Sequence, residues 1–157
     1  MANGAAIPLR KTENEAARVR EAIDDFVDAF QAKNLERIVS HYAPNVVAFD
    51  LMPPLRHVGI EAWRKVWEDT LPMMQGEITI EFQDLSIDVV GNMATAHALS
   101  HFVMDAGGAE GGDDEMDIWM RWSAVFQNIA GQWLITHEHN SVPIDMEGGK
   151  ALLELRP

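Results

Sequence analysis

Proton or metal chemistry in this chain must come from carboxylates and histidines, because it holds 25 acidic residues, six histidines and no cysteine. Thiol nucleophiles and disulfides are excluded outright. The densest group lies in residues 119–142, which carry three of the five tryptophans and the run Thr136-His137-Glu138-His139-Asn140. On a strand, His137 and His139 share one side, and Thr136, Glu138 and Asn140 share the other. Two histidines so placed can contribute to a metal site. Their spacing is far less diagnostic than a helical His-Glu-x-x-His, and hydrogen-bonded histidines at a subunit interface are the preferred reading. No metal and no cofactor are expected. Glu138, if it faces inward, is a buried carboxylate suited to acid/base work; the alternatives are a salt bridge at the rim or the opposite strand register. Asp50 follows a short apolar stretch, 45–49, and precedes Pro53-Pro54. It is either a base at a pocket mouth or an aspartate capping the next loop.

These residues need elements to carry them. Residues 1–12 read as a loose arm and 144–157 as a tail, leaving one domain over 13–143. In 13–32 the apolar positions Val19, Ile23, Phe26, Val27 and Phe30 recur at helical spacing. Asn34 is a candidate cap for a second, short helix whose stripe is Leu35, Ile38, Val39 and Tyr42, ended by Pro44. Gly59 opens a third helix with Trp63, Val66, Trp67 and Thr70 inward. From 77 onward the pattern alternates. It slips phase between Phe82 and Leu85, which predicts a bulge near Gln83-Asp84. Gly91-Asn92 and 128–131 are hairpin turns. The Gly-rich acidic stretch 105–114 reads as a solvated loop, or a lid.

Helices precede four long antiparallel strands, so the fold class is α+β. A curved sheet covered on one face by three helices makes a cone. On the fourth strand Met120, Trp122, Ala124 and Phe126 form the apolar inner phase. On the third, Ala96, Ala98, Ser100 and Phe102 are the small-residue inner phase, which leaves room for a cavity. Phe26, Trp63, Phe102, Met120 and Trp122 can line that cavity, with the Trp122 indole as a donor. The outer face gathers His97, His101, Trp119 and Arg121; the pattern alone leaves open whether His137 and His139 join them or face inward.

Bulk charge limits the partners. The formal net charge is −13, against the positive surface that nucleic acid or an anionic membrane requires. No apolar run is long enough to span a bilayer, and the first residues lack the order of a secretory signal. A cytoplasmic location is the default expectation.

Three segments then resemble a known family. They are 26–36 followed by His41-Tyr42-Ala43-Pro44-Asn45-Val46, then Gly59-Ile60-Glu61-Ala62-Trp63, and finally 131–141, ending Thr136-His137-Glu138-His139-Asn140-Ser141. In order and spacing they resemble the SnoaL-like, ketosteroid isomerase-like branch of the nuclear transport factor 2-like superfamily, over roughly residues 16–143. The resemblance implies a cone of three helices on a curved sheet. It aligns Asp50 with the isomerases' general base and turns Glu138 and Asn140 inward with Thr136. Phe26 stands where those enzymes place a tyrosine donor, and Trp122 stands near their protonated aspartate, so neither isomerase donor is present. Pairing of two copies through the outer sheet face is also implied.

The expected function is binding of a small apolar carbonyl or polycyclic molecule. Asp50 and Glu138 would be the catalytic carboxylates of an isomerase, cyclase or hydratase, and Phe26, Tyr42, Trp63, Ser100, Phe102, Met120, Trp122 and Asn140 would contact the ligand. The alternative is a non-catalytic binding or association module on the same fold.

Overall fold

The structure, a computed structural model, describes residues 9–105 and 115–157, with side chains over 13–104 and 116–157. The predicted acidic loop falls almost wholly outside these residues. The chain runs α1 (Leu9–Gln31), α2 (Leu35–Ser40), β1 (Tyr42–Phe49), β2 (His57–Val58), α3 (Ile60–Thr70), a short 3-10 turn (Leu71–Met73), β3 (Ile78–Val90), β4 (Met93–Asp105), β5 (Glu115–Ile129) and β6 (Gln132–Ser141). One six-stranded sheet has the order β2-β1-β6-β5-β4-β3. Only β1 and β6 pair in parallel. Three helices on one curved, mostly antiparallel sheet form the expected α+β cone.

Apolar spacing sets the helix faces. Val19, Ile23, Phe26, Ala29 and Phe30 bury one side of α1, and Trp63 and Trp67, one turn apart, bury one side of α3. Helix α1 begins at Leu9, inside the stretch read as an arm. Asn34 caps α2 as expected, accepting a hydrogen bond from the Arg37 amide at 3.1 Å. Tyr42 is a correction: it opens β1 instead of extending the α2 stripe. Pro44 lies within β1, where pairing with β6 slips between Tyr42 and Val47. Proline has no amide to give a ladder, so it fits that irregular stretch.

Two bulges shape the sheet. Pairing of β3 with β4 shifts between Gln83 and Ser86, and Asp84 takes φ 55°, where the phase slip predicted it. The second was not foreseen. Val125 pairs with His137 but Phe126 pairs with Ile135, leaving Thr136 as the extra residue on β6. Its hydroxyl donates to the Val125 carbonyl at 3.2 Å. Simple alternation on this strand therefore fails. Trp133 and Ile135 are buried with Glu138, while His139 is exposed. Thr136 is half-buried at the kink and does not share the inward phase expected for it.

Ala130 and Gly131 close the β5–β6 hairpin with φ values of 51° and 86°. Positive φ at both central residues is the tight turn whose twist matches the flanking strands. The tail is tied down in part: Ile144 bridges Ala151, and Arg156 lies 3.4 Å from the Asp117 carboxylate. Among the described residues no helix is long and apolar enough to cross a membrane.

Candidate functional site

Register across five strands builds one row of the inner face. Ala48 pairs with His57 on one side and Glu138 on the other; Glu138 pairs with Ala124, and Ala124 with Ala96. Paired residues share a face, so Glu138 projects inward between two alanines. The next row sets Asn140 opposite Trp122, and Trp122 opposite Ala98. Asp50 leaves β1 just beyond Phe49, which pairs with His139.

Glu138 is 3% exposed. The Tyr42 hydroxyl donates to its Oε2 at 2.6 Å, and the Trp122 indole donates to its Oε1 at 2.8 Å. No lysine or arginine hydrogen-bonds it among the described residues. Burial therefore pushes the carboxyl pKa above its ordinary value. The Tyr42 and Trp122 bonds pull the other way, and the charge of Asp50 adds to the rise. Burial, followed by the charge and hydrogen bond of Glu138, holds the Tyr42 phenol well above its usual range. Tyr42 thus remains a donor at any physiological pH.

Aromatic rings enclose the pair. Phe26 meets Tyr42 edge-on at 5.9 Å, Trp63 meets Tyr42 at 6.1 Å, and Phe82 lies 4.6 Å from Trp122. Of the residues expected at the site, Glu138, Tyr42, Trp122, Trp63 and Phe26 form one connected group. Asn140 and Asp50 are half-buried at its open edge. Ser100 pairs with Met120 one step further along β4, and Phe102 packs on Phe30 at 6.1 Å, toward the far end of α1. The expectation that the Trp122 indole is available to a ligand changes, since Glu138 already takes it.

His57, Trp67 and Phe82 join the same interior; none was expected to contact a ligand, although Trp67 was expected on the inward stripe of its helix. His57 sits on a two-residue strand, too short for any periodicity, in what reads as a rim loop. Its ring lies 5.2 Å from that of Trp63. Alternation from buried Ala48 across a strand pair was the only available clue.

The outer face carries His97, His101, His137 and His139. His137 Nδ1 donates to the Val47 carbonyl at 2.8 Å, and Phe49 meets the His137 ring at 4.8 Å. His101 stacks on Trp119 at 4.4 Å and lies 2.9 Å from Asp117. His97, Arg121 and His139 are exposed. Among the described residues no group of three or more potential ligands is placed to hold a metal ion. An open groove of about 420 Å³ lies elsewhere, between α1, His41 and the β5–β6 hairpin. Arg18, Asp25 and Trp133 line it, while Glu138 and Asp50 do not. Two of its charged groups are engaged internally: Asp25 holds Arg37 and His41, and Arg18 holds Glu15 and the Gly131 carbonyl.

Comparison with known proteins agrees with this architecture. The family model for the SnoaL-like domain matches residues 19–145. A nuclear transport factor 2-like protein of unknown function from Pseudomonas putida is 30% identical, with a TM-score of 0.82 over 92% of this chain and 98% of that one. A candidate dehydratase of the same family from Streptomyces avermitilis superposes with a TM-score of 0.74 at 14% identity, covering 85% of this chain and 99% of that one. A ketosteroid isomerase-like protein from Erwinia carotovora gives 0.66 at 14% identity, over 81% of this chain and 95% of that one. The latter two share the fold alone. A search of curated proteins returns no match. With most of its length matched by the family model, this chain belongs to the SnoaL-like family of the nuclear transport factor 2-like superfamily.

Proposed function

We propose that the cone binds a small, largely apolar molecule bearing a carbonyl, and that Glu138 moves a proton at the carbon beside that carbonyl. The observation that carries this reading is a buried carboxyl whose pKa is raised, held by two donors and, among the described residues, by no basic partner. A carboxyl whose pKa is raised holds its proton more readily than an ordinary glutamate and can both take and return one, which is what a general acid/base requires. Removal of that proton leaves the electron pair on the enolate oxygen. Return of the proton at another carbon is isomerisation; its transfer from Glu138 to a departing β-hydroxyl, which leaves as water, is dehydration. Asp50, half-buried at the mouth, is the second carboxylate of the proton path. Tyr42, kept protonated, orients Glu138. The resemblance in fold to a ketosteroid isomerase-like protein and to a candidate dehydratase supports a reaction of this class.

A second reading is a non-catalytic binding or association module. It is favoured by one fact: both Glu138 oxygens already accept internal hydrogen bonds. Deuterium exchange separates the two. A panel of cyclic ketones in D2O is followed by mass spectrometry with wild-type protein and Glu138→Gln. Proton transfer requires exchange with wild type and a loss of about 10²–10⁴-fold in the variant. Equal rates with both proteins favour the module.

We further propose that two copies pair through the outer face that carries His97, His101, Trp119, Arg121, His137 and His139. The stacked His101–Trp119 pair gives that face a flat apolar centre, and exposed His97, Arg121 and His139 give it polar surroundings.

A further inference from the structure

The Tyr42 hydroxyl gives its proton to Glu138, and its oxygen keeps lone pairs that can accept in turn. A donor stands beside it on α3. The Nε1–H of Trp63 is buried and has no hydrogen-bond partner among the described residues. The Trp63 ring meets Tyr42 edge-on, with centroids 6.1 Å apart and planes at 85°. Its N–H is near enough to the Tyr42 oxygen to pull that phenol's pKa down against burial, yet falls short of hydrogen-bond geometry there. Native proteins pair nearly all buried donors, so one held this close to an acceptor needs an explanation. It is not a general feature of the indoles. Trp122 donates to Glu138 at 2.8 Å and Trp133 donates to Glu15 at 2.9 Å. Nε1 of Trp67 and Nε2 of His57 are unpaired too, but of these three donors only Trp63 bears on the Tyr42 phenol.

Hydrogen bonds in a chain polarise one another, and a hydroxyl that donates to an anion becomes a better acceptor. Ionised Glu138 draws the Tyr42 proton toward Oε2 and leaves electron density on the Tyr42 oxygen. The Trp63 N–H is then attracted more strongly. Protonated Glu138 pulls less on that proton, and the attraction fades.

We propose that Trp63 is a positioning residue for Glu138 that acts through Tyr42: its N–H closes on the Tyr42 oxygen when Glu138 is ionised and relaxes when Glu138 holds a proton. The buried carboxylate thereby gains a further donor at one remove, at the moment when it has given its proton away. This inference rests on the reading that Glu138 changes its protonation state at work, and it needs no ligand. Other titrating groups lie close and have to be separated from Glu138. His57 is 5.2 Å from the Trp63 ring, and Asp50 acts on both Tyr42 and Glu138. His41, which shares Asp25 with Arg37, packs on the same Phe26 as Tyr42.

The test titrates full-length protein carrying ¹⁵N-tryptophan and ¹³C-glutamate. The Trp63 indole is assigned by its loss in Trp63→Phe, or by elimination from the other four indoles should that variant not fold. Its proton resonance is expected to move downfield as pH rises, with the same midpoint as the Glu138 carboxyl. Movement at that midpoint should be lost in Glu138→Gln and in Tyr42→Phe. In Trp63→Phe the Glu138 midpoint should rise, by less than it rises in Tyr42→Phe. The same change made in the Tyr42→Phe background should leave the midpoint where it is, because the path is already cut. A Trp63 resonance that ignores the Glu138 midpoint overturns the proposal. So does movement that persists in Glu138→Gln, which traces to His57, Asp50 or His41, or in Tyr42→Phe, which is the bare field of the carboxylate. A Glu138 midpoint that stays put in Trp63→Phe overturns it too. The two readings fail separately. A silent Trp63 beside a raised Glu138 midpoint removes this inference alone. A Glu138 midpoint at or below the ordinary 4.5, with Trp63 still following it, removes proton transfer alone.

Discussion

Tyr42 and Glu138, 96 residues apart in sequence, meet in the interior through a 2.6 Å hydrogen bond from phenol to carboxylate. The contact joins the first residue of β1 to the far end of β6, strands that run parallel at the middle of the sheet. It depends on two irregularities: the slip in β1 around Pro44, and the Thr136 bulge that turns Glu138 inward after Ile135.

Glu138→Gln should stabilise the protein at neutral pH. The folded-state pKa of Glu138 is raised above its unfolded value. Its contribution is therefore fully present below the unfolded pKa and is lost as pH rises through the folded one. A glutamine keeps a carbonyl oxygen for Trp122 and offers an amide to the Tyr42 oxygen, with no charge to bury. Thermal melts should give the variant a higher Tm at pH 8, and the gap should narrow toward pH 4. A lower Tm for the variant across the whole range contradicts this.

Tyr42→Phe deletes one of the two donors. The orphaned carboxylate oxygen should cost about 1–3 kcal/mol in urea unfolding at pH 8. The Glu138 midpoint should also move up, because the Tyr42 bond holds it down. A stability loss with no movement of the midpoint would make the contact purely a packing one.

Asp50→Asn acts through charge. Asp50 raises the Glu138 pKa across space, so its neutralisation should lower the Glu138 midpoint while leaving Tyr42 and Trp122 in place. Turnover of any ketone that exchanges with wild type should fall sharply, with affinity largely retained. Wild-type rates in Asp50→Asn would remove Asp50 from the proton path.

Trp119→Glu tests pairing. It places a charge on the centre of the outer face and breaks the stack with His101. Sedimentation velocity should find a dimer for wild type and a monomer for the variant. A wild-type monomer at micromolar concentration refutes the outer-face interface.

Much of this was legible in the sequence for a physical reason: long, regular apolar periodicity. Val19, Ile23, Phe26 and Phe30 gave the face of α1, and alternating alanines gave the inner side of β4. The bulge at Asp84 showed as a phase slip because apolar residues flank it on both sides. The bulge at Thr136 did not show, since Ile135, His137 and Glu138 are not all apolar and no phase could be read through them. Only the family resemblance turned Glu138 inward. Tyr42 looked helical because it continues the α2 stripe by spacing, while the backbone had already left the helix. His57 was hidden by the shortness of its strand.

The Glu138 carboxyl titration is the measurement that bears most directly on the buried-carboxyl reading, and it needs no substrate. With ¹³C-labelled glutamate, the Glu138 resonance is assigned by its loss in Glu138→Gln and followed from pH 3 to 9. The expected result is a midpoint clearly above the ordinary glutamate value of 4.5, in line with a carboxyl buried between Tyr42 and Trp122. A midpoint at or below 4.5 would mean that the two donors outweigh burial, and Glu138 would then be a fixed structural anion and not an acid/base.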